Sequence, residues 1–368
     1  MVGQWLGVAL LIYLLIVAVA LIGRGSGVAV GGRAEDLFIL ASNPFMGLVV
    51  GVMATALVQS SSTVTSIIVG LVAGGMPVVI AVPIVMGANV GTTITNTLVS
   101  LGHVADEDGF RRAFAAATVH DFFNLLSIAI FLPLELMLHL LERSALILGT
   151  FLLGDGAYQQ DSLNFVGAAT EPLVNFIAWS VRLVPRPYDG ILMIACGVAL
   201  ILVTITLISR VLRRLMVGRV ERVVHASLRR GPMAGIAAGT AITVVVQSSS
   251  TTTSLIVPLA GAGLFGLAQV YPFTLGANIG TCVTALLAAT AITGVQALPA
   301  LQIALVQLLY NVLGVIVVYG VPWLRRVPVA TAERLSAAVS RRKAMGLFYV
   351  LVVFFGIPGI LLAGSALF

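Results

Sequence analysis

The run Gln-Ser-Ser-Ser-Thr occurs twice in the 368-residue chain, at residues 59–63 and 247–251. Its hydroxyls and amide carbonyls are neutral, hard oxygens that suit a small cation such as sodium, and the hydroxyls also donate to anions. Serine and threonine are strong helix N-caps, and a helix N-terminus attracts an anion through its free N–H groups and its dipole. A second motif follows each run: Gly-Ala-Asn-Val-Gly-Thr-Thr at 87–93 and Gly-Ala-Asn-Ile-Gly-Thr-Cys at 276–282. The candidate substrate ligands are Gln59, Ser60, Ser61, Ser62, Gln247, Ser248, Ser249, Ser250, Asn89 and Asn278. The candidate sodium ligands are Gln59, Ser62, Thr63, Thr92, Gln247, Ser250, Thr251 and Thr281. No Arg or Lys lies within 37–102 or 231–324, so a cotransported cation is a natural source of positive charge beside a bound anion.

One Gln-Ser-Ser-Ser run is weak evidence, because small hydroxyl residues in apolar helices often bond back to their own backbone. Two runs in a repeated order are strong evidence. The first motif recurs 188 residues on and the second 189. His120-Asp121-Phe122-Phe123-Asn124 is echoed at 187 residues by Gln307-Leu308-Leu309-Tyr310-Asn311, and upstream Gly51 and Thr55 match Gly239 and Thr243. The chain is internally duplicated.

The elements that position these residues are set by composition. Hydrophobic residues make up 59% and charged residues 9%, against ~25% charged in a soluble domain, so the solvent is lipid. The net charge of +6 sits mainly in short segments at 210–230 and 325–343, which the positive-inside rule places in the cytoplasm. It is no nucleic-acid footprint, and Cys196 and Cys282, both in apolar segments, form no disulfide framework or zinc set. The apolar run from Trp5 to Ile22 lacks a basic leader and is long for a signal peptide, so it reads as a retained first helix.

These signals predict an all-α integral membrane protein of two inverted-topology repeats. Residues 1–132 hold the first repeat: a helix, a hairpin, a broken helix and a helix. Residues 133–189 form an extracytoplasmic connection, 190–323 the second repeat, and 324–368 a basic cytoplasmic loop and a last transmembrane helix. The second repeat opens with a helix at 191–208. The N-terminus is then cytoplasmic and the C-terminus extracytoplasmic. Each Gln-Ser-Ser-Ser-Thr run falls between two apolar stretches too short to span a bilayer, which predicts re-entrant hairpins whose tips meet near the midplane. Gly87 and Gly91 predict an unwound turn in the helix that carries Asn89, and the second copy predicts the same.

Four further residues are candidates for coupling. Asp121 and His120 lie within the apolar stretch 113–132, where a charge is functional by default; the alternative is a local pairing near Arg111 and Arg112. Asn124 and Asn311 recur in both copies and suit either direct ligation or support of a broken backbone. Glu135, His139, Glu142 and Arg143 read as one amphipathic helix at the outer surface, with no chemistry assigned.

The duplicated Gln-Ser-Ser-Ser, each copy followed by Gly-Ala-Asn-x-Gly-Thr, resembles the type II sodium–phosphate cotransporters and their bacterial relatives over residues 51–132 and 239–319. The resemblance implies sodium-coupled symport of inorganic phosphate, and it implies a substrate and sodium role for residues 59–62 and 247–250. Cys282 departs from Thr93 and removes one hydroxyl from the second copy. The expected partners are phosphate, sodium and the bilayer of a cell membrane, the bacterial inner membrane by this resemblance. No cofactor beyond the coupling ion is expected, and the oligomeric state is open. The nearest alternatives are a carrier of another small oxyanion or a phosphate exporter. An anion channel fits an occluded midplane site less well. A hydrolase using Ser60 or Ser248 with His120 lacks a Gly-x-Ser-x-Gly elbow and an oriented third group.

Overall fold

The computed structural model describes residues 2–30, 43–154, 164–216, 219–342 and 344–365. Among them there is no strand. In lipid every backbone N–H and C=O must be satisfied within the chain, and helices do this segment by segment. Among the described residues seven helices are long and apolar enough to cross a membrane, from Gln4–Ala29 to Ala344–Ala363.

Helices α1 (Val2–Val30) and α9 (Tyr188–Met216), expected from the sequence to open the two repeats, pack against each other. Their contacts run in opposite directions. Gly25 meets Gly190 and Ile194, Gly197 meets Ala18 and Ile22, and Val8 clusters with Ile208 and Leu212. The equivalent first helices are therefore antiparallel. Their glycines let the backbones approach where a side chain would not fit: a Cβ on Gly190 would stand 2.5 Å from the Ala29 nitrogen. The first helix is thus built into the fold. The sequence reading ended α9 at residue 208, but the helix runs to Met216. No Gly or Pro interrupts 209–216, and the Arg and Leu there are good helix formers.

Each repeat continues with two half-length helices: α2 (Pro44–Val58) and α3 (Ser61–Ala73) in the first, α11 (Pro232–Val246) and α12 (Ser249–Gly261) in the second. At ~1.5 Å per residue each is ~20 Å long, short of the ~30 Å hydrocarbon core. Both pairs begin with proline at the first helical position, where a missing N–H costs nothing. The far end of α3 lies at the end of α1, where Gly74 abuts Ser26 and the Gly23 carbonyl. The far end of α12 lies at the start of the long helix α6 (Glu107–Leu138), where Arg112 donates two bonds to the Gly261 carbonyl at 3.1 and 2.9 Å.

The helix bearing Asn89 differs from expectation. Helix α4 (Val78–Gly91) runs unbroken through Gly87 and Gly91, and a turn at Thr92–Thr93 separates it from α5 (Ile94–Ser100). Its counterpart α13 (Leu267–Ala289) has no break. The glycines serve packing instead. A Cβ on Gly87 would stand 2.0 Å from the Leu48 carbonyl, and one on Gly276 2.0 Å from that of Ile236. The reverse contacts repeat as well, Gly51 on Ile84 and Gly239 on Phe273, each near 2 Å. The break in the first copy follows its second threonine: the Thr93 hydroxyl donates to the Val90 carbonyl three residues back at 2.8 Å, tightening the turn. Cys282 at the equivalent place contacts the Asn278 carbonyl four residues back, in helical register.

The closing helices pair crosswise. Helix α15 (Pro322–Arg341) packs on α6 through Phe110, Phe114, Leu335 and Val339, and α7 (Leu140–Leu153) packs on α14 (Ala297–Gly314) through Gly149, Leu298 and Leu305. The basic stretch expected as a loop is thus largely helix α15, its arginines on a partly exposed helix rather than an irregular segment. Residue 132 falls inside α6, which continues to Leu138. The expected single amphipathic helix over Glu135–Arg143 is interrupted: His139 takes a left-handed conformation (φ 51°) between α6 and α7. Glu135 stabilises the new start, accepting from the Leu141 and Glu142 N–H groups at 2.6 and 3.2 Å. The remaining helices are α8 (Asn164–Ser180), α10 (Arg219–Leu228), α16 (Ala344–Leu351) and α17 (Ile357–Ser365).

Candidate substrate site at the two hairpin tips

The two tips have the same geometry. Helix α2 ends at Gln59 and α11 at Gln247, both left-handed (φ 56°, ψ 28° and φ 56°, ψ 29°). Each closes its helix with a 2.7 Å bond from its N–H, to the Thr55 and Thr243 carbonyls respectively. The next residue is extended and caps the second half-helix: Ser60 Oγ accepts from the Thr63 N–H, and Ser248 Oγ from the Thr251 N–H, both at 3.2 Å. A left-handed glutamine costs about 1–2 kcal/mol relative to glycine or asparagine in that role. That this chain bears the cost at both tips indicates that the side chain is needed there.

Both tips open onto one cavity of about 310 Å³. Gln59, Ser60, Thr63, Gln247, Ser248 and Thr251 line it. The third wall is α9, through Leu202, Ile205, Thr206, Ser209 and Arg210, with the Ser209 hydroxyl donating to the Gln247 carbonyl at 3.4 Å. The cavity therefore offers four serine and threonine hydroxyls from the tips and the starts of two 13-residue helices. This set can donate to an oxyanion and present neutral oxygens to a cation.

The other sequence candidates do not line it. Ser61, Ser62 and Ser249 are buried in the first turns of α3 and α12, and Ser250 is half-buried. Asn89, Asn278, Thr92 and Thr281 are buried on α4 and α13 or at the α4 end, and both threonine hydroxyls bond carbonyls four residues back.

Asn89 and Asn278 belong to a second polar group around α6. Asn124 donates to the Asn89 carbonyl at 2.9 Å and accepts from Asn278 Nδ2 at 3.1 Å. The symmetric bond is not made. Asn89 Nδ2 and Asn311 Oδ1, the atoms that would repeat it, have no partner, and Asn311 Nδ2 donates to Gln307 in its own helix. A second asymmetry sits at the tips. Thr284 donates to Gln247 Oε1 at 2.8 Å, whereas its counterpart Thr95 has a buried hydroxyl without a partner and Gln59 is exposed in the cavity. Thr95 and Thr284 lie outside the sequence candidates, although extending the repeat comparison three residues past Thr92 and Thr281 finds the pair at the same spacing.

Asp121 is buried on α6 and neither nearby arginine reaches it. Arg111 pairs with Asp108 at 3.6 Å and Arg112 with the Gly261 carbonyl. Tyr349 on α16 donates to Asp121 Oδ2 at 3.0 Å, while Oδ1 is unpartnered. Neither ring nitrogen of His120 bonds a partner, so no serine is paired with it. Tyr349→Phe removes a buried donor to the carboxyl and is expected to cost about 1–3 kcal/mol. Asp121→Asn keeps an acceptor for Tyr349 and is expected to cost less. Thermal denaturation of the purified variants checks the order; a Tyr349→Phe protein as stable as wild type would mean that the tyrosine hydroxyl contributes nothing at this position.

The described residues form a multi-pass, helical membrane protein with two equivalent polar helix breaks that face one cavity. The chain belongs to the Na+/Pi-cotransporter family, whose model matches residues 14–156 and 200–326. It is 32% identical to sodium-dependent phosphate transport protein 2A of Ovis aries, over 94% of this chain and 65% of that protein. It is 32% identical to sodium-dependent phosphate transport protein 2B of Homo sapiens, over 91% of this chain and 62% of that protein. The 2A protein of Rattus norvegicus is also 32% identical, over 96% and 67%. The chain thus spans less than two thirds of the length of the first two. No solved structure matches it.

Proposed function

We propose that this chain is a sodium-coupled secondary transporter of inorganic phosphate that works by alternating access. Phosphate and sodium bind between the two Gln-Ser-Ser-Ser tips, in two inverted repeats with re-entrant hairpins. The observation that carries this reading is the single cavity shared by both tips. Family membership and the relatives' names support sodium and phosphate as the transported pair. The antiparallel α1–α9 contacts support inversion, and the return of α3 and α12 to the ends of α1 and α6 supports re-entrance. Seven candidate spans among the described residues are an odd number, which fits a cytoplasmic N-terminus and an extracytoplasmic C-terminus in a cell membrane. Alternating access requires two repeats in unlike states that exchange. The bonded Gln247–Thr284 beside the unbonded Gln59–Thr95 fits that requirement.

The test is radiolabelled phosphate uptake into proteoliposomes under an inward sodium gradient, with potassium as control and sulfate as competitor. Saturable, sodium-requiring uptake that resists sulfate is expected. Uptake that sulfate abolishes would reassign the substrate to another oxyanion. Uptake that neither saturates nor needs sodium would make the protein a channel.

A further inference from the structure

The geometry points to Arg210 as a phosphate-binding residue, the fixed positive charge of the cavity. This rests on the phosphate reading above and adds a residue outside both repeated motifs. The hairpin stretches contain no Arg or Lys, so a cotransported cation is one natural source of positive charge there. Because α9 continues past residue 208, Arg210 stays in the helix alongside the tips and lines the same cavity as Gln59, Ser60, Gln247 and Ser248. The Ser209 hydroxyl, one residue earlier, bonds the Gln247 carbonyl at 3.4 Å and fixes this part of α9 against the second tip.

An arginine near a cytoplasmic membrane edge satisfies the positive-inside rule wherever it points. What separates Arg210 from that role is the wall it stands on: it lines a cavity whose other polar lining is hydroxyl and amide, with no acidic residue among the lining residues, and no ion pair among the described residues holds it elsewhere. A guanidinium presents paired N–H donors that match two oxygens of a phosphate, and it keeps its charge at any physiological pH. With the N-termini of α3 and α12 opposite, the cavity surrounds an oxyanion with donors from three helices, one of them cationic.

The experiment is equilibrium binding of radiolabelled phosphate to the purified full chain in nanodiscs at saturating sodium. It compares wild type, Arg210→Gln and Arg210→Cys. The cysteine variant is modified either with a neutral methyl thiosulfonate or with the cationic aminoethyl reagent. Wild-type protein treated alike controls for the exposed Cys196. Loss of a charge-assisted contact is expected to raise the Kd of Arg210→Gln about tenfold or more. The neutral adduct should match it, and the cationic adduct should recover most of the affinity. A structural role for Arg210 would not distinguish the two adducts. If Arg210→Gln does not fold, the adduct pair decides alone. Equal affinity in wild type and Arg210→Gln, or equal affinity in the two adducts, overturns the assignment of Arg210 and leaves the phosphate reading intact. Wild-type protein that binds no phosphate removes that reading, and this one with it.

Discussion

Gly87→Ala and Gly276→Ala are each expected to lower the thermal stability of the purified protein sharply, because each added methyl meets backbone rather than side chain. The new Cβ would stand 2.0 Å from the Leu48 carbonyl oxygen in the first case and 2.0 Å from that of Ile236 in the second. Real carbon–oxygen contacts are never that short, so α4 must move off α2, and α13 off α11. Both partners are helices, and neither has a flexible end to yield. Overpacking a well-filled core costs about 1–3 kcal/mol, occasionally more, and here the whole interhelical spacing is at stake. The internal controls are Gly7→Ala and Gly359→Ala, where an added Cβ meets nothing within 4 Å. Alanine's helix propensity should leave those two neutral or up to ~1 kcal/mol more stable. Denaturation midpoints in one detergent compare all four. A loss at Gly87 and Gly276 no larger than at Gly7 would remove the close approach of the paired helices.

Gln59→Ala and Gln247→Ala are both expected to abolish sodium-driven phosphate uptake, but they should differ in what else they do. Gln247 is held at both ends of its amide: Nε2 donates to the Val244 carbonyl at 2.6 Å and Oε1 accepts from Thr284 at 2.8 Å. Its removal strands a Thr284 hydroxyl and should destabilise the protein by about 1–3 kcal/mol. Gln59 is exposed in the cavity, and among the described residues its side chain makes no hydrogen bond. Its truncation should leave the melting midpoint within about 0.5 kcal/mol of wild type, as for exposed positions elsewhere. Gln59→Ala is therefore the cleaner test, since lost uptake cannot be blamed on lost fold. Normal uptake by a folded Gln59→Ala protein would take the first tip out of the transport mechanism.

Much of this was legible in the residues. The break after Val58 and after Val246 follows from the chemistry of Gln-Ser-Ser-Ser-Thr, because serine caps helices and the polar run interrupts two apolar stretches too short to span. The break assigned to Gly87 and Gly91 was misplaced for a reason that sequence alone does not resolve. A glycine in an apolar helix permits either unwinding or close packing, and only the position of the neighbouring helix decides between them. The repeat comparison leaves Asn124 open between direct ligation and support of a broken backbone; in the structure it bonds the Asn89 carbonyl of the unbroken α4, and the repeat carries no sign that Asn311 turns to its own helix. Arg210 was missed because a basic residue after a long apolar run reads as the end of a span. Its place on the cavity wall depends on α9 continuing as a helix past residue 208 and on how α9 meets the second tip.

The antiparallel embrace of α1 and α9 also has a history in time. Gly25 of α1 leaves the ribosome about 165 residues ahead of its partner Gly190, an interval of roughly 10–30 s at ~5–20 residues per second. Throughout that interval the glycine-lined face of α1 has only lipid, or the insertion machinery, to rest against. The first hairpin must wait as well, since its cavity partner at Ser248 is made later still. Biogenesis of this protein is thus a delayed closure, in which the first repeat is held half-finished until the second arrives. Truncations that end before α9 should therefore be degraded rather than accumulate as a stable half-protein.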